Sequence, residues 1–138
     1  MADQLAKLQE TVARMLGEGR PLALAQYLVS ELSQLSTKET SFLSYYSLSN
    51  LAHTKTDDPE LLVAISVLTS DSAAVLKPFF VYLDETSNKE FILSPNEYTR
   101  ATKQKYIVNP ETGELDRDFY RHILPYFRTS DIFQKMVG

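Results

Sequence analysis

Residues 58–107 constrain the fold more than any other stretch of this 138-residue chain. Asp58-Pro59-Glu60 opens a helix: an aspartate cap, a proline at the first helical position, and an acid at the positive end of the macrodipole. Phe79 to Leu83 is dense in aromatic and branched residues, Glu85-Thr86-Ser87-Asn88 is a polar turn, and Glu90 to Leu93 returns as a partner strand. Ser94-Pro95-Asn96-Glu97 then opens a second helix with the reciprocal spacing of a capping box. Helix, hairpin, helix is therefore the expected order.

The rest of the chain supplies helices around that segment. Met1, Leu5, Leu8, Val12 and Met15 alternate at spacings of four and three, the narrow apolar seam of one helix. Gly17 and Gly19 bracket its end. Pro21 suits the first turn of a second helix, on which Leu22, Ala25, Leu28, Val29, Leu32 and Leu35 recur at helical spacing. A short loop between the two predicts a helical hairpin over residues 1–36. Thr37 is read as the cap of a third helix carrying Phe42, Tyr45, Tyr46 and Ala52. Leu61, Leu62, Ala64, Ile65 and Leu68 bury the helix that follows, and residues 73–76 add one helical turn. Downstream, residues 106–108 read as a third strand. Asp116 or Asp118 begins a helix through Phe119, Ile123 and Leu124 that Pro125 ends, and Ser130 caps a last helix with Ile132, Phe133 and Met136.

The expected class is α+β, mainly helical, in a single domain: the N-terminal hairpin (1–36) followed by an α+β core (37–138). The chain is long enough for one core and too short for two ordinary domains. An apolar fraction of 43% against 23% charged is a globular balance. No run is long and apolar enough to span a bilayer, and Met1-Ala2-Asp3-Gln4 does not begin a secretory leader. Without cysteine there is no disulfide, thiolate site or thiol nucleophile, which fits a reducing compartment, and a cytoplasmic location is expected.

Sites of chemistry are conspicuous by their absence from the pattern. Glycines stand only at 17, 19, 113 and 138, so neither a phosphate loop nor a dinucleotide fingerprint can be assembled. His53 and His122 lack ligand spacing around them and are read as structural. Asp57-Asp58 is read as a cap. Glu111, Glu114, Asp116 and Asp118 lack the rhythm of a calcium loop and are read as a solvated turn. No catalytic residue, cofactor or metal is expected, and the chain is read as non-enzymatic.

Taken together, Thr37 to Leu93 resembles the winged-helix class in its order of helix, turn, helix and β-hairpin. That resemblance implies a second helix laid in a DNA major groove with basic residues around it. The sequence departs from the pattern there. Pro59 to Thr69 has no Lys or Arg, and its Leu61, Leu62, Ile65 and Leu68 are each worth roughly 1.5–3 kcal/mol when buried. The hairpin offers Lys89 beside Asp84, Glu85 and Glu90, which repel phosphate. The formal net charge of −4 points the same way. It is uneven: residues 1–60 carry five Lys/Arg against eight Asp/Glu, residues 61–138 nine against ten. A nucleic-acid role would fall to Arg100, Lys103 and Lys105, interleaved with Tyr98 and Tyr106; a solvated helix end explains the same residues.

The preferred expectation is a protein-binding adaptor or small subunit of an assembly, with a nucleic-acid-binding regulator as the alternative. Leu5, Leu8, Val12 and Met15 form a seam that can zip in a homodimer or pack on the neighbouring helix of the same chain. Tyr45 and Tyr46 are candidate aromatic anchors for a protein partner.

Overall fold

A computed structural model describes residues 2–137, so Met1, the first residue assigned to the seam, lies outside the described residues. The protein is α+β, with six α-helices and small antiparallel sheets among the described residues. The backbone divides into two compact units: residues 1–77 with 127–138, and residues 78–126.

The first unit is helical. α1 (Ala2–Leu16) ends where Gly17 takes a left-handed φ of 68°, a conformation glycine adopts without steric cost. α2 (Arg20–Gln34) follows, with Pro21 in its first turn and Leu24, Ala25, Leu28, Val29 and Leu32 buried. It packs against α1 and against α4 (Pro59–Leu68), whose N-cap Asp58 accepts from Glu60 N as the sequence predicts. The helical spacing of these apolar residues is what lets three helices share one core.

Three local expectations change here. Thr37 does not cap a helix. Ser36 and Glu39 bond reciprocally to each other's backbone N–H (3.1 and 3.2 Å) and close a single turn. Leu43 then exchanges two 2.7 Å backbone hydrogen bonds with Phe127, which holds it extended. α3 (Tyr45–Leu51) starts only after that bridge, capped by Ser44 with Ser47 completing the box. Likewise residues 73–76 form no separate helical turn: Ala74 adopts φ 49° and the chain enters a strand at Leu76. Leu62 is a third departure, being 43% exposed where burial was expected.

In the hairpin, β1 (Leu76–Asp84) pairs antiparallel with β2 (Lys89–Leu93), from Phe80 opposite Leu93 to Asp84 opposite Lys89. Asn88, at φ 61°, turns the chain between them. α5 (Pro95–Gln104) carries the full capping box: Ser94 Oγ accepts from Glu97 N and Glu97 Oε1 from Ser94 N, both at 3.1 Å. The third strand is present as β3 (Ile107–Val108), but it pairs with β4 (Leu115–Asp116) in a separate ribbon.

The helix expected after Asp116 or Asp118 is reduced to a 3-10 turn, Phe119–His122, and β5 (Ile123–Thr129) replaces its second half. Pro125 has no N–H and its ring obstructs a continuing helix, while an edge strand tolerates it. The strand order β2-β1-β5 puts β5 at such an edge. α6 (Asp131–Val137) closes the chain, its first turn capped by Ser130 Oγ, which accepts from Phe133 N at 3.0 Å. Phe133 is buried, Met136 half-buried and Ile132 exposed.

Candidate functional site

The first unit carries a shallow, open groove around the α3–α4 connection made of two depressions that share Asn50, Lys55 and Asp57; one reaches Arg20 and His53, the other Tyr46. Its floor is tied down by hydrogen bonds. Ser49 Oγ donates to the Tyr46 carbonyl at 2.8 Å, and Thr54 N donates to Ser49 O at 3.0 Å. Thr54 Oγ1 donates to Asp58 Oδ2 at 2.6 Å. Arg20 reaches the same carboxylate at 2.6 Å and Glu60 at 3.0 Å. The Arg20 guanidinium, helped by the Thr54 hydroxyl, holds the Asp58 carboxyl well below the usual carboxylate range. Arg20 is thereby committed to two acids, and its charge is neutralised within the fold.

The rim is freer. Tyr46 is 66% exposed and Lys55 and Asp57 are exposed, whereas Leu48 and Ser49 on the same short helix are buried. His53 takes φ 55° and sets its ring 5.7 Å from that of Tyr27. The result is an open, shallow surface whose connecting loop is tied by hydrogen bonds and whose rim presents one exposed tyrosine ring.

The residues singled out by sequence separate sharply. Leu8 and Val12 are buried among the aliphatic side chains of their own chain, Leu5 is half-buried against the same core, and Met15 is 43% exposed. Leu8 and Val12 are thus corrected from partner contacts to core, because α1 spends its seam on α2 and α4. Tyr45 and Tyr46 also divide. Tyr45 is half-buried, its ring edge-on to Phe127 at 5.0 Å, so it packs the fold and only Tyr46 is presented. Arg100, Lys103 and Lys105 are all exposed, and no ion pair among the described residues engages them. Lys105 leaves the helix at φ 69°, the left-handed cap position.

A second constellation lies in residues 78–126 and was not legible in the sequence. Asp116 Oδ2 accepts from the Tyr82 hydroxyl and lies against His122 Nδ1, both at 2.7 Å; an ionised carboxylate can only accept, which places the imidazole proton on Nδ1. His122 Nε2 lies 3.4 Å from Glu85 Oε1. Burial pushes the Asp116 carboxyl up, and the bonds from Tyr82 and His122 more than offset this, holding it below the usual range. Burial, reinforced by that carboxylate, pushes the Tyr82 phenol well above its ordinary value. These groups line a pocket of about 320 Å³ together with Asp84, Thr86, Asn109 and Glu114. Asp84 is itself buried and accepts from Ser87 Oγ at 2.7 Å and from Asn109 Nδ2 at 3.4 Å.

His122 is therefore not solitary, and Asp116 is not part of a solvated turn. The one sequence signal that could have joined them is the spacing of six between them. Tyr82 gives no such signal, since 34 residues separate it from Asp116. Among the described residues no group of three or more His, Asp or Glu is arranged to hold a metal ion, and no helix is long and apolar enough to cross a membrane. No family model, curated protein or solved structure matches the chain.

Proposed function

We propose that the protein is a non-enzymatic adaptor or small subunit of an assembly, which grips an extended segment of a partner protein in the α3–α4 groove. The observation that carries this reading is Tyr46: a large amphipathic ring, 66% exposed, at the lip of a concave surface whose floor is already fixed. Tyrosine offers contact area at a low entropic cost, and a preorganised surface loses little freedom on binding. This reading places the contact at the groove and not at the α1 seam, because Leu8 and Val12 of that seam are core. In this reading the winged-helix-like order of α3, α4 and the hairpin is a scaffold, and α4 serves as core rather than as a reading helix.

A photo-crosslinking amino acid at position 46 tests the proposal in extracts of the native source. It should trap one protein that the same group at exposed Thr99 does not. That protein, purified, should bind the wild-type chain and lose roughly tenfold or more in affinity to Tyr46→Ala, the scale of one lost anchor. Equal trapping at both positions, or unchanged affinity, overturns it.

The exposed, unpaired set Arg100, Lys103 and Lys105 supports a second reading, contact with nucleic acid. Binding should then weaken steeply with salt and fall further when the three are replaced by glutamate. Absence of binding at low salt ends that reading.

A further inference from the structure

Histidine 122 is held from two sides by carboxylates that it cannot serve equally in both of its protonation states. A neutral imidazole has one N–H and one bare lone pair. The proton on Nδ1 is directed at Asp116 Oδ2, 2.7 Å away, and that oxygen also accepts from Tyr82. With Asp116 ionised, its oxygens can only accept, so the Nδ1 proton stays where it is. Nε2 then turns a lone pair toward Glu85 Oε1 at 3.4 Å, an arrangement of two acceptors with no proton between them. A second proton on Nε2 converts the same geometry into a charge-assisted contact.

Glu85 stands at the start of the β1–β2 turn, and both Glu85 and Thr86 form a wall of the 320 Å³ pocket. We propose that His122 is a proton-operated latch on this turn, drawing Glu85 onto the pocket wall when doubly protonated and releasing it when neutral. The other charged and titratable groups on the pocket are Asp84 and Tyr82 from β1, Glu114 beside β4, and Asp116 on β4. All are acids or neutral at mid-range pH, and no basic side chain other than His122 lines the pocket. Arg121, the basic neighbour on the same 3-10 turn, is exposed. Glu85 has a side chain 70% exposed, so the contact is screened and readily reversed, as a latch requires. Asp116 is the fixed post: it keeps the ring oriented in both states.

Nuclear magnetic resonance on the full chain, titrated from about pH 5 to 8 where imidazoles change charge, tests this. Carboxylates ordinarily titrate near pH 4 and so leave the window clear. The amide signals of Thr86 and Ser87 should move with the same midpoint as the His122 ring protons, and their protection from exchange, relative to the intrinsic rate at each pH, should be greater on the acid side. In Glu85→Ala, which removes only an exposed side chain, the ring should still titrate while the amide movement is lost. The latch is overturned if the ring titrates with the turn amides stationary, if those amides move identically in Glu85→Ala, or if the ring does not titrate in this window.

Discussion

The two compact units solve the same problem with different materials. Residues 1–77 and 127–138 bury aliphatic side chains from α1, α2 and α4, with Leu28, Val29, Leu61 and Leu68 at the centre. Residues 78–126 have a much smaller cluster, Tyr82, Leu93, Ala101, Ile107 and Phe119, edged by the stacked pair Phe80–Tyr98 at 4.2 Å. The helical unit keeps its strongest polar contacts, those of Arg20, on a half-exposed surface. The hairpin unit draws a tyrosine, an acid and a histidine into one hydrogen-bonded set. A small core gains rigidity from such directional contacts, and it also becomes sensitive to protonation.

The largest effect should come from Phe119→Ala, which empties a fully buried ring from the smaller cluster and should cost about 3–5 kcal/mol in urea unfolding. Leu28→Ala in the helical unit should cost about 2–5 kcal/mol, toward the lower end because many flexible aliphatic neighbours surround the vacancy. A larger loss for Leu28→Ala than for Phe119→Ala would reverse the comparison. Helix caps offer a finer test. Ser94→Ala removes a working box and should cost about 0.5–2 kcal/mol. Thr37→Ala should stay within about 0.5 kcal/mol, because Thr37 caps no helix and Ser44 is the cap of α3.

Acid separates the units by cause. Asp58 and Asp116 both have folded-state carboxyls below the ordinary range, so each stabilises the fold fully above about pH 4. Each contribution is lost as the pH falls through the lowered folded value. Arg20→Ala should flatten the part of this acid limb due to Asp58, and Tyr82→Phe the part due to Asp116. An acid limb unchanged in either variant would remove that carboxylate from the account. The smallest effect on stability should be that of Tyr46→Ala, within about 0.5 kcal/mol by urea unfolding, since the ring packs little. A greater loss would make Tyr46 part of the fold rather than of a binding surface.

Legibility followed the range of the interactions. The caps Asp58 and Ser94, the hairpin, α2 and α4 all rest on residues within about one turn or one strand of each other, and each was readable. Thr37 and the segment 119–129 depart from expectation because distant partners decide them. Leu43 is drawn straight by Phe127, and Ile123–Thr129 is a strand although its apolar residues also suit a helix. The candidate groove was half readable: Tyr46 was chosen, but paired with Tyr45, and only packing against Phe127 separates the two.

The sequence by itself determined that this chain is α+β, where most helices begin, and that a β-hairpin divides α4 from α5. Capping and periodicity act locally and survive in any tertiary setting. The tertiary structure alone decided that Leu8 and Val12 of the α1 seam are core, that Tyr46 faces solvent, and that Tyr82, Asp116 and His122 meet. Burial and long-range hydrogen bonding depend on which surfaces come together, and that is a property of the folded chain rather than of any segment.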